Sequence, residues 1–565
     1  MNNLDLTKKR ITLICIFLTL FIIGTVFIFI TPTSVKSTYG LATTTDDGVT
    51  ISFNVFEPKD DGLNKPAFII GHGFMANKEI LKGYAIELAT AGFVAVPFDF
   101  RNFGQSSSGD GEAMYKDVLA IQDYLNSRGD IDMNSLGYIG YSMGGLGQSV
   151  IHNDTSFICF IGIGTWLYPT LRRGNLTDPL HVLMIQALFD EAIELSELKE
   201  SVATRLSIPV SNVDSNKIYG SFQQGNATMV YLDDDSNHLK LAWDADFIRV
   251  ARDWAINSFN IDVVDENFYA NIRAIILLIQ VVGGIGFFFL IIEPFSKLII
   301  QSKEERNKEI KLEFFKIDTP EISIKSLSIR TIIYSFLLAI PGIIIFIPIL
   351  LILPLAIAGF VVTLLFGQTF GIIILLWRIG KHVRVPITEM LKNVFKGKIK
   401  FLKRLALGTI LAAILYVISY LSIGLNYFAL LPSVVKIWTI PIYFVICFFI
   451  NIIYSLLMQV IIQNKFTDSL KNILKVVFLG FVFPFLHFFT YLLILGVIVR
   501  SFFYFGVFIP IALVMFTLYS SVFIITYKKT GNIITGAIIN AFLTTFLIIT
   551  VSQPQSGLEF LLGFF

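Results

Sequence analysis

A serine stands between two glycines in the segment Gly140-Tyr141-Ser142-Met143-Gly144, at a spacing that suits a reactive hydroxyl. Glycine two residues before and after the serine removes Cβ atoms that would collide in a sharp strand-to-helix turn. The apolar run at residues 136–139 predicts a short strand before this turn, and residues 145–150 can open a helix after it. This context favours Ser142 as a nucleophile, whereas the alternative is a serine that only caps a tight turn.

A serine hydroxyl reacts readily only when a base removes its proton, and histidine is the usual base near neutral pH. The chain has six histidines. Five belong to a glycine turn, the helix after the serine, a strand start, a basic loop and an apolar span: His72, His152, His181, His382 and His487. The sixth, His238, lies in the polar loop 233–238 before a predicted helix, which makes it the candidate base.

The third member of such a site is a carboxylate that holds the imidazole tautomer and stabilises the imidazolium. Asp190 directly follows the apolar strand predicted at residues 182–186, where a carboxylate can be fixed in a cleft. Its rivals are Glu191 and the run 233–235, which is more typical of a solvated turn. With Asp190 the chain order is serine, acid, histidine.

The elements that position these residues alternate between short apolar runs and amphipathic stretches over residues 48–260, as in a doubly wound α/β sheet. Strands are predicted at residues 50–56, 67–71, 94–98, 136–140, 157–163 and 182–186. Helices are predicted at residues 80–91, 113–126 and 246–258. A further helical insertion is expected within residues 191–225.

Several stretches resemble the α/β-hydrolase superfamily, near the dienelactone hydrolases and prolyl-oligopeptidase-like esterases. They are Gly71-His72-Gly73-Phe74, residues 99–106, the Ser142 turn, residues 183–191 and Asn237-His238. The resemblance implies an α/β hydrolase fold with a mostly parallel sheet. It also implies an oxyanion hole formed by the backbone N–H groups of Phe74 and Met143. Asn102 stands where the family usually has glycine.

The whole chain is too apolar for a soluble protein. Of its 565 residues, 54% are hydrophobic and 15% charged, and the mean hydropathy is +0.71. Basic residues 8–10 precede an uncharged run at residues 11–30, about 20 residues and long enough to cross a bilayer. The lack of an A-x-A-like site favours an uncleaved anchor over a cleaved signal peptide.

The second half predicts about eight further spans, so that the membrane part is an all-α polytopic domain. They are expected at residues 271–292, 331–377 (two crossings), 406–463 (two crossings), 476–499, 502–526 and 532–552. The Lys/Arg-rich loops then fall on the cytoplasmic side, with the N-terminus, and only Arg500 falls outside. The predicted domains are an anchor at 1–32, an extracytoplasmic hydrolase domain at 33–262 and a membrane domain at 263–565, whose C-terminus lies outside.

The sequence predicts no cofactor, no metal and no nucleic-acid partner. The net charge is +2, and neither zinc-type Cys/His spacing nor a phosphate-binding glycine loop occurs. The predicted function is a membrane-anchored extracytoplasmic serine hydrolase for a small-molecule or lipid-like carboxylic ester met at the membrane lipid. The alternatives are a peptidase of the same fold and a transporter or channel with a ligand-binding hydrolase-like domain. Polar residues within the spans are expected to satisfy one another between helices.

Overall fold

The computed structural model describes residues 3–60, 62–300, 322–428, 430–467, 469–499, 503–556 and 558–559. A long helix, α1 (Asn3–Ile30), precedes a mixed α/β part from Val35 to Phe259 that we call the sheet region. We call α1 together with all helices after the sheet region the helical region. The predicted loop residues 301–321 and Arg500 lie outside the described residues.

Nine strands build the sheet region: β1 (Val35–Thr44), β2 (Thr50–Pro58), β3 (Lys65–Gly71), β4 (Val94–Phe98), β5 (Ile131–Tyr141), β6 (Phe157–Ile163), β7 (His181–Phe189), β8 (Ile218–Tyr219) and β9 (Thr228–Asn237). They lie in the order β1-β2-β4-β3-β5-β6-β7-β9-β8. From β4 to β9 in this order the strands run parallel, while β1, β2 and β8 pair antiparallel at the edges. The structure confirms the predicted mostly parallel sheet.

Helices cover both faces of this sheet: α2 (Lys82–Ala91), α3 (Tyr115–Arg128), α4 (Gln148–Ile151), α5 (Leu195–Leu206) and α6 (Ala245–Phe259). One buried apolar cluster joins α2 and α6 to one face of the sheet, and a second joins α3 and α5 to the other. Because both faces are covered, central strands such as β3 are apolar without alternation. Parallel strands place their carboxyl ends at one edge, where the loops that follow them meet.

One predicted loop is wrong. Residues 233–237, expected to belong to the polar loop 233–238 with a solvated turn at 233–235, instead form the end of β9, where Asp233 pairs with Ala187 of β7. Aspartate has low strand propensity, but the backbone pairs with β7 while the side chains of Asp234 and Asp235 remain exposed. Tertiary pairing therefore overrides the local preference.

The helical region continues with α7 (Ala270–Ile299), α8 (Ile324–Leu337), α9 (Ala339–Ile352), α10 (Ala356–Val383), α11 (Ile387–Val394), α12 (Lys398–Ser419), α13 (Ile440–Ser455), α14 (Leu470–Val499), α15 (Phe503–Thr530) and α16 (Ile533–Val551). Two π-helical segments, Tyr420–Gly424 and Leu456–Ile462, extend α12 and α13. Within the described ranges, eight helices are long and apolar enough to cross a membrane, or nine if α8 and α9, bent by 48°, form one span.

The two helices that flank the sheet region in sequence, α1 and α7, pack side by side. Arg273 near the start of α7 donates to the carbonyl of Ile28 near the end of α1, at 2.9 Å. Gly283 permits the close approach, because a Cβ atom there would overlap the backbone of α1. The chain thus enters and leaves the sheet region at neighbouring points.

Ionic contacts mark the opposite end of the helical region. Glu293, near the end of α7, pairs with Arg10 at 2.7 Å, Lys297 at 3.0 Å and Lys529 at 2.8 Å. These residues lie at the start of α1 and at the ends of α7 and α15. The sheet region and this cluster therefore occupy opposite ends of the helices.

Candidate active site

Ser142 occupies a strained turn directly after β5. Its φ of +51° lies in the left-handed region, which costs a non-glycine residue about 1–2 kcal/mol. The turn is tight, since a Cβ atom on Gly144 would overlap the carbonyl of Gly71 at the end of β3. The chain continues as a 3₁₀ turn, Ser142–Gly147, and only then as the short helix α4, so the helix predicted at 145–150 begins late.

His238 and Asp190 form a buried pair. The His238 Nδ1 atom lies 3.0 Å from each carboxylate oxygen of Asp190, and the two side chains are 2% and 1% exposed. Asp190 Oδ1 also accepts the N–H groups of Ala192, at 2.8 Å, and Ile193, at 3.1 Å. A proton on Nδ1 that is donated to Asp190 leaves the lone pair on Nε2, the atom that a serine base needs.

The rival carboxylates take other positions. Glu191 is half-buried and accepts the backbone N–H of His238 on Oε2, at 3.3 Å, and burial raises the pKa of Glu191. Asp235 is exposed and pairs with Lys240 at 3.3 Å. The structure thus brings Asp190 to the His238 ring and Glu191 to the His238 backbone.

Tyr141, the residue before the serine, ties the Ser142 turn to the histidine loop. Its hydroxyl donates to the His238 carbonyl at 3.0 Å, and its ring stacks on the imidazole with 5.3 Å between centroids. Gly164 is needed beneath them, because a Cβ atom there would lie 3.0 Å from His238 Nδ1. Sequence reasoning missed this role of Tyr141, since any residue fits that position of the Gly-x-Ser-x-Gly pattern.

The turn after β3 lies against the serine. A Cβ atom on Gly73 would lie 3.0 Å from the Cβ of Ser142, so Gly73 packs closely against Ser142. The predicted oxyanion donors Phe74 and Met143 are the residues that directly follow these two. His72 holds this turn, with Nδ1 2.7 Å from the Gly73 carbonyl oxygen and Nε2 accepting the Phe100 N–H at 3.1 Å. Burial lowers the pKa of His72, which fits a neutral structural imidazole.

A buried ion pair fixes the same turn to the loop after β4. Lys78 Nζ lies 2.6 Å from Asp99 Oδ2, with side chains 1% and 0% exposed, and the Lys78 N–H donates to Asp99 Oδ1 at 2.7 Å. Burial raises the pKa of Asp99, but Lys78, His72 and the Gln105 N–H together lower it by more, so the pKa lies below its usual range. Arg101 is buried and pairs with Asp117 at 2.7 Å, so its role is structural. Nothing local in the sequence marks Lys78 as the partner of Asp99.

Two neighbouring residues after β6 differ in exposure. Trp166, after β6, is 42% exposed, whereas Leu167 is 1% exposed and belongs to the core. Among the described residues, no three His, Cys, Asp or Glu side chains lie together in a way that could hold a metal ion.

No family model matches the chain. An uncharacterized 31.7 kDa protein of Escherichia coli, from the traX-finO intergenic region, is 28% identical over 104 residues, which are 18% of this chain and 35% of that protein. The chain therefore matches only about a third of the length of this curated relative.

Similar solved structures include a cold-adapted esterase from an Arctic intertidal metagenomic library, 16% identical, which covers 40% of this chain and 94% of its own with a TM-score of 0.30. The α/β hydrolase GrgF from Penicillium sp. sh18 is 12% identical and covers 40% of this chain and 99% of its own with a TM-score of 0.31. The sheet region has the α/β hydrolase fold by its own strand order, with the serine on a sharp turn after β5.

Proposed function

We propose that the chain is a membrane-anchored serine hydrolase that cleaves carboxylic esters, with Ser142 as nucleophile, His238 as base and Asp190 as its partner. One observation carries the proposal: the buried His238–Asp190 pair is tied through Tyr141 to a serine held at positive φ. Strain of this kind persists where the surrounding structure fixes it, typically at functional sites. Cofactors have no part in this chemistry.

The reaction follows from these groups. The Ser142 Oγ attacks the ester carbonyl carbon while its proton passes to His238 Nε2, and Asp190 stabilises the imidazolium. The N–H groups of Phe74 and Met143 stabilise the oxyanion. The C–O bond to the alcohol then breaks, the alcohol takes the proton from His238, and an acyl-serine remains. Water then gives a proton to His238 as its oxygen attacks the acyl carbonyl carbon. The bond from that carbon to Ser142 Oγ breaks, Ser142 takes the proton from His238, and the carboxylic acid leaves.

The orientation that we propose places the sheet region outside the cytoplasm. The cluster of Arg10, Lys297 and Lys529 around Glu293 lies at the end of the helices opposite the sheet region. Basic residues favour the cytoplasmic side. The proposed domains are accordingly an anchor at 1–32, an extracytoplasmic hydrolase domain at 33–262 and a membrane domain at 263–565.

Labelling of the full-length protein in membranes with a fluorophosphonate probe tests the nucleophile. We expect labelling of the wild type, none of Ser142→Ala, and a loss of p-nitrophenyl ester hydrolysis of about 10³-fold or more. Ser149→Ala is the matched control, since Ser149 is exposed on α4 and its hydroxyl donates to the Leu146 carbonyl at 2.9 Å. Labelling that persists in Ser142→Ala would refute the assignment, and faster cleavage of peptide amides than of esters would favour a peptidase.

A further inference from the structure

We call the edge of the sheet where the parallel strands end, together with the loops that follow them, the catalytic edge. The first segment of this edge that touches the helical region follows β3. Lys82, at the start of α2, donates to the Leu425 carbonyl at 2.8 Å and to Asn426 Oδ1 at 3.2 Å. Both acceptors come just after the π-helical end of α12. Lys82 is only 2% exposed, so this contact is buried. The loop with the oxyanion donor Phe74 therefore leads directly onto a membrane-helix end.

Two more segments of that edge make similar contacts. Trp243, five residues after His238, lies edge-on to Tyr427 with 5.9 Å between ring centroids. Glu191, next to Asp190, lies so close to Gly506 of α15 that a Cβ atom there would overlap its carboxylate. The segments that follow β3, β7 and β9 all meet ends of apolar helices. The mouth of the site thus lies on the side of the sheet region that faces the helices.

Large apolar side chains are exposed along the same edge. Phe74 after β3 is 37% exposed, Trp166 after β6 is 42% exposed, and Leu188 and Phe189 at the end of β7 are 48% and 61% exposed. We call these four residues the rim. Exposed apolar groups that gather at one place mark contact with apolar matter. Here they flank the loops that carry Asp190 and Ser142.

We infer that the substrate is a carboxylic ester of a bilayer lipid, whose acyl chain reaches Ser142 across the rim from the membrane side. This inference rests on the proposed serine hydrolase. Moving a long acyl chain through water costs free energy for every methylene exposed. A mouth that adjoins helix ends and carries an apolar rim lets the chain pass from lipid to protein without that exposure.

The test uses full-length protein in liposomes and two substrates, a long-chain fluorogenic glycerolipid ester within the bilayer and p-nitrophenyl acetate in water. The variants are Phe189→Ser and Leu188→Ser. Leu63→Ser is the matched control, because Leu63 is 75% exposed and precedes β3 at the opposite edge of the sheet. Fluorophosphonate labelling counts the competent sites of every sample.

We expect each rim variant to lower the bilayer-ester rate about tenfold more than the acetate rate, and Leu63→Ser to change neither rate by more than about twofold. Equal losses on both substrates, no loss on the bilayer ester, or a changed oligomeric state in Phe189→Ser would overturn the inference. Labelled wild type that does not cleave the lipid ester would refute the inference alone. A wild type that is not labelled at Ser142 would refute the proposed function itself.

Discussion

One buried polar site of the sheet region and one of the helical region are satisfied to different degrees. In the sheet region, Lys78 and Asp99 are buried as an ion pair, and Asp99 also accepts the N–H groups of Lys78 and Gln105 at 2.7 and 2.9 Å. In the helical region, Gln459 is fully buried, and neither end of its amide has a hydrogen-bond partner within the described residues. The first site buries an ion pair with further hydrogen bonds, and the second buries a neutral amide without a partner among the described residues.

The difference follows from the cost of each group. An unpaired charge in a protein interior costs on the order of several kcal/mol. A buried charge therefore persists only where an opposite charge and further hydrogen bonds accompany it. An unpaired neutral amide costs about 1–3 kcal/mol, which a large apolar bundle can tolerate. Removing single partners in the two regions should therefore have unequal effects.

The largest effect is expected at Lys78. The Lys78→Met variant leaves the Asp99 charge buried without its cation, and we expect the free energy of unfolding to fall by about 3–5 kcal/mol. Tryptophan fluorescence during urea unfolding of the detergent-solubilised full chain measures it. Lys116→Met is the control, because Lys116 pairs with an Asp46 side chain that is 72% exposed and should lose about 1 kcal/mol at most. Equal losses of unfolding free energy in Lys78→Met and Lys116→Met would contradict the expected difference between a buried and an exposed ion pair.

Glu87 lies between the two extremes, as a buried carboxylate on α2 that accepts the Tyr269 N–H at 2.7 Å. Burial raises the pKa of Glu87 to about 7. The folded state then holds this proton between pH 4.5 and 7 while the unfolded state releases it, so stability is present at low pH and falls as pH rises through 7. We expect a loss of about 2–3 kcal/mol over that range.

Urea unfolding of the wild type and of Glu87→Gln at pH 4.5 and pH 8 measures this dependence. The variant keeps the oxygen that accepts from Tyr269 but cannot ionise, so its difference between the two pH values should be smaller by that amount. Identical pH profiles for the two proteins would show that folding does not raise the pKa of Glu87.

The smallest effects are expected within the helical region. Asn451 accepts from the Tyr519 hydroxyl and donates to the Ala537 carbonyl, so Asn451→Leu should cost about 1 kcal/mol. Gln459→Leu removes an amide without described partners and should be neutral or stabilising by about 1 kcal/mol. Thermal unfolding in detergent compares the two. A larger loss for Gln459→Leu than for Asn451→Leu would reveal a partner of Gln459 and reverse the comparison.

The sequence predicts an element or a residue's position best where that feature depends on residues close to it in the chain. Apolar runs located β3 to β7 because parallel strands covered on both faces read as continuous apolar segments, and an apolar run also located the antiparallel β2. Chain order and elimination singled out Asp190 and His238, which the structure brings within hydrogen-bond distance. Their catalytic roles remain predictions.

The rest depends on contacts between distant parts of the chain. Lys82 and Leu425 are 343 residues apart, and no periodicity relates them. The acidic end of β9 needs β7 beside it before it forms a strand. Pairing of polar side chains between membrane helices was expected throughout, yet Asn451 has partners and Gln459 has none within the described residues. Both residues carry a side-chain amide, so only the packing around each amide distinguishes them.

The neighbouring attachment of α1 and α7 has a mechanical consequence. A domain joined to a helical bundle at two adjacent points can rotate about the line through those points. Glu191 also contacts Gly506 on α15, which is a different helix, and this third point of contact opposes that rotation. The α1–α7 pair and the Glu191–Gly506 contact thus restrict how the loops around Ser142 can move relative to the helices. Under the proposed function, an ester would be selected by how deep its carbonyl lies in the bilayer as well as by its shape.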